Sequence, residues 1–448
     1  MRENPIVSGS GIRGVFGRSF TVSDAMGYAA AFGELVGAGP VVVGRDTRRS
    51  GPAVEAAVCA GLMSVGCSPV LLGVVPTPTV QLEAMASGVA GGIAVTSSHN
   101  PGCWNALKLV GSDGVFLRAA ARERLMAILG APRHFCGSDS CGLPQLLPGS
   151  VERHVKKVIS LPVVRATGRP LRVVLDVTGG TAASLAPALM DAMGVEWTMI
   201  NPSMTPGGEF PRVAEPTVES LSELARAVAL SGADAGFGFD PDGDRLALVA
   251  DHGVLIGEEY TLALAFDHIL RHTPGPVVVN LSTSMLSEEA AGRHGCTVYR
   301  SPVGEVNVVE EMERLGSGLG GEGNGGVIYP LCHSGRDSAV AMAMVVSFLR
   351  ENPGMSLSGW AETFPRFFSI KTKAAHSGDF ESAARLFERE FGPPTDRRDG
   401  LWYRKQWGWF HIRPSGTEPA VRFIGESSTP GPLEASTAFF RKVCSCAE

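Results

Sequence analysis

The sequence predicts an α/β protein made of three related α/β units with mixed sheets and a C-terminal α+β domain. The chain has 448 residues, more than one hydrophobic core usually organises, so roughly two to four domains are expected. Short apolar runs alternate with helical patterns as far as residue 353, which is typical of sheets with a large parallel component. Beyond that point, runs of strands are bracketed by helices, as in an α+β domain.

The strand and helix alternation passes along the chain three times. The first pass has predicted strands at 41–44, 69–72 and 92–95 and helices at 53–64, 80–87 and 119–129. The second has strands at 171–176 and 234–239 and helices at 182–193 and 220–231. The third has strands at 276–280 and near Leu319 and helices at 285–293 and 306–315. Each pass ends in a glycine-rich strand and a polar loop, so three loops are expected to converge on one cleft at strand carboxyl ends.

The last part of the chain has a different pattern. Its predicted strands are 370–372, 401–405, 409–413 and 420–424, and its predicted helices are 380–391 and 433–443. Seams are expected at 136–149, which is rich in Gly, Ser and Pro, and at 251–257, and the linker 352–364 is a candidate hinge. The predicted domains are therefore 1–150, 151–252, 253–358 and 359–448.

Composition excludes several classes of partner. With 44% hydrophobic and 19% charged residues, the chain is expected to be globular rather than disordered. The formal net charge of −6 is mild and no Lys/Arg-rich block occurs, so neither nucleic acid nor a membrane is expected as a partner. The nine cysteines are scattered without a CxxC pair, which indicates free thiols. Since no uncharged apolar run reaches about 18 residues, we expect a cytoplasmic protein.

The segment TSSHNP, residues 96–101, directly follows the predicted strand 92–95. Its two serines are therefore expected on a loop at the carboxyl end of that strand, where α/β sheets bind ligands. His99 supplies a ring nitrogen, and Asn105 and Lys108 follow in the next turn or strand. The segment suits a hydroxyl nucleophile for phosphoryl chemistry, but Ser, Asn and Pro also make ordinary polar turns.

The segment DPDGDR places carboxylates at alternate positions of a tight turn, at Asp240, Asp242 and Asp244. Oxygen ligands at this spacing can face one divalent ion, and a site with few protein ligands leaves room for water or phosphate oxygens, as Mg²⁺ prefers. Arg245 follows directly and could reach a phosphate. One alternative is a calcium loop of the EF-hand type, which predicted flanking strands and Asp251 at the twelfth position disfavour. The other is a solvated acidic turn.

The segment RPSGTEP, residues 413–419, lies between two predicted strands of the last domain. Arg413, the hydroxyls of Ser415 and Thr417, and the backbone amides around Gly416 would form a cradle for a phosphate dianion. The alternative is a simple Pro/Gly turn.

Three further loops carry charged or amide groups among glycines. SGSGIRG, residues 8–14, contains Arg13, and GRDTR, residues 44–48, follows a predicted strand; both suit either anion binding or salt-bridged turns.

GGEGNGG, residues 320–326, contains Glu322 and Asn324, which share a direction if the backbone is extended. Glu322 could accept hydrogen bonds from sugar hydroxyls or an amine, or the loop could be a flexible turn. No glycine run ends in Gly-Lys-Ser/Thr, which disfavours an ATP-binding kinase.

These motifs follow one another as SGIRG, TSSHNP with NALK, DPDGDR, GGEGNGG and RPSGTEP. In this order the chain resembles the α-D-phosphohexomutase family from end to end, a family of phosphoglucosamine mutases, phosphomannomutases and phosphoglucomutases. The resemblance implies four domains around a deep central cleft. It also implies a phosphoserine, a Mg²⁺ ion, a sugar-recognition loop and a phosphate-binding loop.

Carried over by position, the resemblance makes Ser98 the phosphorylated serine and a ligand of Mg²⁺ through its phosphate, together with the three aspartates. Arg13 and Lys108 resemble the groups beside the reacting hydroxyl, with His99 adjoining the serine, and a lowered Lys108 pKa would suit a base. The other implied positions are substrate-binding groups: Arg245, Glu322, Asn324, Arg413, Ser415, Gly416 and Thr417. Where many members have Ser and His after the glutamate, this chain has Asn324 and Gly326. The general acid is therefore not assigned.

The implied reaction is a phosphoryl shuttle. Phosphorylated Ser98 gives its phosphoryl group to a hexose monophosphate, the resulting 1,6-bisphosphate reorients, and Ser98 takes back the other phosphoryl group. Glucosamine 6-phosphate is the favoured substrate because GGEGNGG resembles phosphoglucosamine mutase-like proteins, with broader phosphomannomutase/phosphoglucomutase activity as the alternative. Two alternatives belong to other functional classes: a phosphatase, and a sugar-phosphate sensor without catalytic activity. The resemblance leaves open whether the protein is a monomer or a homodimer.

Overall fold

Four β-sheets, each with its own helices, make up the fold of the computed structural model. It describes residues 4–375, 380–414 and 420–445. Within these ranges no helix is long and apolar enough to cross a membrane. Three successive α/β units and a small α+β domain follow one another along the chain, as the sequence predicts.

The first unit is built around a seven-stranded sheet. Its elements are β1 Ile6–Ser8, β2 Gly11–Val15, α1 Val22–Val36, β3 Pro40–Arg45, α2 Gly51–Met63, β4 Ser68–Val74, α3 Thr77–Ala84, β5 Gly91–Val95, β6 Trp104–Gly111, α4 Ala119–Gly130 and β7 Gln145–Leu146. The strand order is β1-β2-β6-β5-β3-β4-β7. The strands β5, β3, β4 and β7 are parallel, and β1, β2 and β6 add antiparallel neighbours, which makes the sheet mixed.

The second and third units repeat this arrangement with five strands each. The second contains α5 Ser150–Ile159, β8 Arg172–Asp176, α6 Ala182–Ala192, β9 Glu196–Ile200, α7 Ser222–Ser231, β10 Ala235–Phe239, β11 Leu246–Ala250 and β12 Val254–Gly257. The third contains α8 Glu258–His272, β13 Val277–Asn280, α9 Leu286–Gly292, β14 Val298–Ser301, α10 Glu305–Leu315, β15 Leu319–Glu322, β16 Gly326–Tyr329, β17 His333–Arg336, α11 Ser338–Glu351 and α12 Leu357–Glu362.

The repeat is visible in the strand orders. They are β12-β11-β10-β8-β9 in the second unit and β14-β13-β15-β16-β17 in the third. The glycine-rich strands are β5, β10 and β15. In each unit this strand pairs in parallel with an earlier strand, and the chain then turns back into the next strand, which pairs with it antiparallel. The loops after β5 and β10 and the turn after β15 are therefore structurally equivalent.

The fourth domain is a four-stranded antiparallel sheet with two helices. Its elements are β18 Phe368–Ala375, α13 Phe380–Phe391, β19 Leu401–Lys405, β20 Gly408–Pro414, β21 Ala420–Ser427 and α14 Pro430–Ser445, in the strand order β18-β21-β20-β19. Aromatic side chains dominate its separate core, where Phe410 packs between Tyr403 and Phe423 with ring centroids 4.7 and 5.7 Å away.

The structure adds detail to two of the predicted seams. The predicted boundary at residue 252 falls inside a β-hairpin, because β12 pairs with β11 and extends the second sheet to Gly257. The candidate hinge 352–364 contains α12, whose Trp360 stacks on Phe348 at 3.4 Å between ring centroids. Since Trp360 belongs to the core shared by the second and third units, this segment is anchored there.

Some helices lack the periodicity that sequence patterns detect. In α11 every residue from Ser338 to Arg350 is buried, so no polar face marks it as amphipathic. In α8 the buried stretch runs from Thr261 to Leu270 for the same reason. The predicted helix 80–87 also begins earlier, at Thr77, since Pro78 suits the first turn of a helix.

Candidate active site

The two equivalent loops and the β15 turn bring the predicted functional side chains together. TSSHNP follows β5, DPDGDR follows β10, and Glu322 closes β15. Hydrogen bonds connect the first loop to the second and the second to Arg336, which also holds Glu322. The convergence expected from the repeat is therefore present.

Ser98 faces the acidic loop. Its hydroxyl donates to Asp240 Oδ2 at 2.9 Å, whereas the Ser97 hydroxyl donates to Asn100 Oδ1. Ser98 has a φ of 46°, a left-handed conformation that costs a non-glycine residue energy and that the surrounding contacts must maintain. The side chain of Ser98 is thereby aimed at three carboxylates while the residue is only 5% exposed.

Arg48, which sequence patterns left ambiguous within GRDTR, holds this loop in place. Its guanidinium is fully buried and donates to the carbonyls of Ser98 and Asn100 at 2.6 and 2.7 Å, and also to those of Pro101 and Trp104. Asp46 pairs with the Arg48 Nε at 2.9 Å. The GRDTR loop is thus a salt-bridged turn that supports TSSHNP. The donors of Arg48 are taken up by backbone carbonyls and by Asp46.

The DPDGDR turn has the donor set of a cation site. The three carboxylates supply oxygens within 4.8 Å of one another, and Gly243 permits the turn with a φ of 69°. Asp242 Oδ1 and Asp244 Oδ1 are buried without a hydrogen-bond partner among the described residues. Burial, and then the neighbouring carboxylates, raise the pKa of Asp240. Crowded carboxylates with unpartnered oxygens fit a divalent ion of the kind that prefers oxygen ligands.

Lys108 reaches the same carboxylates from β6. Its Nζ lies 2.6 Å from Asp242 Oδ2 and 3.1 Å from Asp244 Oδ2, and the residue is 3% exposed. Burial acts to lower the Lys108 pKa, but the two carboxylates outweigh it and hold the pKa above its ordinary value. The expected lowering of this pKa is therefore wrong for the structure as it stands.

Arg13 and His99 flank the serine loop. Arg13, on β2, donates to Asn100 Oδ1 at 3.4 Å and to Ser10, and its Nε is buried without a partner among the described residues. Burial, followed by the charge of Arg245, lowers the pKa of His99 to about 4. His99 is consequently a neutral ring at pH 7.

Arg336 is the residue that sequence reasoning missed. Its guanidinium contacts Asp244 Oδ2 at 2.7 Å, Glu322 Oε2 at 3.0 Å and Glu305 Oε2 at 2.8 Å. It stands at the end of β17, immediately before Asp337, and its flanking tripeptide GRD also occurs at 44–46. A shared tripeptide is the one signal in the sequence that could have pointed to it. Arg336 ties the acidic loop to the β15 turn.

The sugar-loop candidates lie beside this arginine. Glu322 Oε1 accepts from Asn280 Nδ2 at 2.8 Å and from the Gly304 amide at 2.9 Å. Asn324 lies in the β15–β16 turn, where its side-chain oxygen accepts from Arg336 Nη1 at 2.9 Å once the amide is oriented by its hydrogen bonds. Both side chains are thus fixed by Arg336.

The remaining candidates lie around the cleft. Arg245 pairs with Glu215 at 2.9 Å. Arg413 is the second-last residue of β20 in the fourth domain; burial lowers its pKa, and the charges of Asp399 and Glu322 oppose that shift. Ser415, Gly416 and Thr417 lie outside the described residues. A cavity of about 1000 Å³ opens between the second, third and fourth units, and Glu215, Asn324 and Lys371 line it.

Comparison with known proteins agrees with this geometry. Three successive parts of the chain match the domains described as Phosphoglucomutase/phosphomannomutase, alpha/beta/alpha: domain I at residues 5–133, domain II at 152–253 and domain III at 257–367. A "probable phosphoglucosamine mutase" of Methanopyrus kandleri is 34% identical over 426 residues, which cover 94% of this chain and 93% of the relative. A "phosphoglucomutase/phosphomannomutase" of Thermococcus kodakarensis is 32% identical, with 94% of each chain covered.

Solved structures show the same fold. A phosphoglucomutase/phosphomannomutase family protein of Burkholderia thailandensis aligns with a TM-score of 0.86 and 26% identity, covering 100% of this chain and 98% of its own. The fold also matches Aspergillus fumigatus N-acetylphosphoglucosamine mutase, solved with GlcNAc-6P and magnesium, at a TM-score of 0.63 and 13% identity, covering 100% of this chain and 96% of its own. Matches to three family domains and to relatives along nearly the whole chain establish that this protein belongs to the phosphoglucomutase/phosphomannomutase family and is a phosphohexomutase.

Proposed function

We propose that the chain interconverts glucosamine 6-phosphate and glucosamine 1-phosphate through a phosphoserine at Ser98. The observation that carries the proposal is the hydrogen bond from the Ser98 hydroxyl to Asp240 Oδ2 at 2.9 Å, inside a site that also holds Lys108. A hydroxyl held against carboxylates with unpartnered oxygens is where a phosphoryl group and a divalent cation would meet. A hexose 1,6-bisphosphate is the proposed intermediate.

The net exchange is balanced without an outside reactant. The bond from phosphorus to Ser98 Oγ breaks, a bond from phosphorus to a sugar hydroxyl oxygen forms, and the serine oxygen recovers the proton that the sugar hydroxyl loses. The bisphosphate then reorients in the cleft and returns its other phosphoryl group to Ser98. No water is consumed, so a phosphatase would differ by releasing inorganic phosphate.

Asp240, Asp242 and Asp244 are the proposed ligands of Mg²⁺, with a phosphoserine oxygen as a further ligand. When bound, the ion would offset negative charge on the phosphoryl oxygens. Arg13, whose Nε is buried without a partner among the described residues, is proposed to donate to the transferring group. Arg48 holds the serine carbonyl and keeps the attacking geometry fixed.

The proposed binding of the sugar relies on the β15 turn and the fourth domain. Glu322 and Asn324, fixed by Arg336, are proposed to hold the sugar hydroxyls and the amino group. Arg245 and Arg413 are proposed contacts of phosphate, together with Ser415, Gly416 and Thr417. Because the clamp must accept the phosphate at either end of the sugar, we expect the fourth domain to adjust between half-reactions.

Two observations support an amino sugar. The cavity of about 1000 Å³ carries more carboxylates than cations: Glu215, Glu219, Glu258, Glu259, Glu362 and Glu426 against Arg366 and Lys371. Arg245 neutralises Glu215 and Lys371 pairs with Glu258 and Glu259, and the carboxylates that are left over favour an ammonium group over a hydroxyl. The Methanopyrus relative and a Methanothermobacter thermautotrophicus relative at 33% identity are also described as probable phosphoglucosamine mutases. The Thermococcus relative, described as a phosphoglucomutase/phosphomannomutase, supports the second candidate, a broader hexose specificity.

The test is a coupled assay with the 6-phosphates of glucosamine, glucose and mannose, each with Mg²⁺ and the matching 1,6-bisphosphate. We expect the highest kcat/KM with glucosamine 6-phosphate. Equal kcat/KM values for all three sugars would replace the proposal with the broader specificity. Release of inorganic phosphate without isomer would replace it with a phosphatase.

A further inference from the structure

Four side chains with metal-ligand chemistry meet in the interior, outside the loops described above. His154 comes from α5, Cys332 from the turn before β17, His333 from the start of β17, and Asp337 from the N-cap of α11. Their donor atoms all lie within 4.8 Å of one another, and none of the four residues is more than 2% exposed. We call this group the His–Cys–Asp cluster.

The distances within the His–Cys–Asp cluster resemble those between the ligands of one small cation. Asp337 Oδ2 lies 2.8 Å from His154 Nε2, 3.1 Å from His333 Nε2 and 3.8 Å from Cys332 Sγ. With zinc bonds of about 2.0–2.3 Å, tetrahedral ligands stand roughly 3.3–3.8 Å apart. The Asp337–Cys332 distance lies in this range, and the two Asp337–imidazole distances, which are those of hydrogen bonds, would each have to lengthen by roughly 0.2–0.5 Å around an ion.

Neighbouring groups orient two of these ligands. His154 Nδ1 makes a hydrogen bond with Thr79 Oγ1 at 2.9 Å, which leaves Nε2 for the cluster. Asp337 Oδ1 accepts from the Ala339 amide at 2.8 Å, which leaves Oδ2 for the cluster. Hydrogen bonds of this kind fix the ring and carboxylate orientations of metal ligands.

A hydrogen-bond network without a cation accounts less well for the same atoms. It requires one carboxylate oxygen to accept from two imidazoles and a thiol. The thiol is only a weak donor and its sulfur lies 3.8 Å from the carboxylate oxygen, so this part of the network contributes little.

We propose that the His–Cys–Asp cluster binds one Zn²⁺ as a structural site, separate from the oxygen-lined site of the three aspartates. Two imidazole nitrogens, one thiolate and one carboxylate form a closed four-coordinate set, and this donor chemistry selects zinc over magnesium. The ion links α5 of the second unit to β17 and α11 of the third. Because Asp337 directly follows Arg336, it also anchors the strand end that presents Arg336 to Asp244 and Glu322.

The experiment uses Co²⁺ as the probe, in full-length protein first stripped with a chelator. We expect about one tightly held Co²⁺ per chain with intense visible bands of tetrahedral cobalt and a thiolate-to-cobalt charge-transfer band, both removed by Zn²⁺ and retained in excess Mg²⁺. Cobalt at the aspartate site has only oxygen ligands and gives no thiolate band. Absence of that band from wild-type protein overturns the proposal and leaves the hydrogen-bond network as the explanation.

Matched variants locate the signal. Cys332→Ser should abolish the charge-transfer band, and added Zn²⁺ should raise the melting temperature of the wild type but not of this variant. Cys59→Ser, at a buried cysteine of α2, should leave the band unchanged. In Asp242→Asn the band should persist although mutase turnover is lost, so the two sites can fail independently. A band that survives Cys332→Ser, or disappears in Asp242→Asn, contradicts the assignment.

Discussion

The Ser98 hydroxyl and Asp240 Oδ2 are 2.9 Å apart, although 142 positions separate the two residues in the chain. Each residue follows the glycine-rich strand of its own unit, so the contact joins equivalent points of two structural repeats. The position of the Ser98 hydroxyl against Asp240 therefore depends on how the first and second units sit against each other. Thr77, which donates to Asp242 Oδ2 at 2.5 Å, is a second link across the same junction.

The Arg48 guanidinium should be necessary for the serine loop. Arg48→Lys removes most of the donors to the carbonyls of Ser98, Asn100, Pro101 and Trp104, and a misplaced nucleophile loses roughly 10²-fold in rate. We expect a fall of this order in kcat, measured in the coupled mutase assay. The control is Arg45→Lys, which alters the partly exposed pair with Glu55 in the same segment. Comparable losses in both variants would show that Arg48 has no special role.

Arg336 should couple the acidic loop to the β15 turn. In Arg336→Lys a single ammonium cannot contact Asp244, Glu305 and Glu322 together, so kcat/KM should fall by about 10- to 100-fold and more Mg²⁺ should be required for half-maximal activity. The assay is a Mg²⁺ titration of initial rates. Arg300→Lys, at the pair with Glu288, is the matched control. An unchanged Mg²⁺ dependence with only a lower melting temperature would mean that Arg336 is purely structural.

Asp242 should be indispensable for metal-dependent turnover. Asp242→Asn removes a carboxylate charge from the proposed cation site and weakens the pairing of Lys108, so Mg²⁺-stimulated activity should be lost. Chelation of the wild type should have the same effect and be reversed by added Mg²⁺. Asp251→Asn, which changes a carboxylate bound to Ser358 at 2.7 Å, is the control. If the activity of Asp242→Asn depended on metal concentration in the same way as that of the wild type, the loop would be excluded as the metal site.

Three buried histidines should each make the folded protein less stable as the pH falls. Burial is the main cause that lowers the pKa values of His99, His268 and His411 to about 4 from 6.5. Between these values the unfolded chain binds more protons than the folded chain, so stability contributed by the neutral rings is lost as the pH falls from about 6.5 towards 4. Histidine NMR signals of dephosphorylated protein measure this directly. A ring assigned to His99 that titrates near pH 6.5 would contradict the prediction.

The sequence predicted the loops of the site better than their supports. Because strand carboxyl ends meet at one edge of a sheet, the positions of TSSHNP and DPDGDR after β5 and β10 were sufficient to predict that Ser98 and Asp240 converge. The roles of Arg48 and Arg336 depend on carbonyls and carboxylates that are distant in sequence, and no local pattern marks such partners. The helices α8 and α11 were missed because burial on all sides removes the amphipathic period.

The most direct measurement is the intact mass of the protein after incubation with glucosamine 1,6-bisphosphate, followed by exposure to glucosamine 6-phosphate. Wild-type protein should become heavier by one phosphoryl group, about 80 Da, mapped to Ser98, and should return to the lighter form as bisphosphate is produced. Ser98→Ala should gain no mass and have no mutase turnover. Full turnover by Ser98→Ala, or a phosphoryl group mapped to Ser97, would contradict the account.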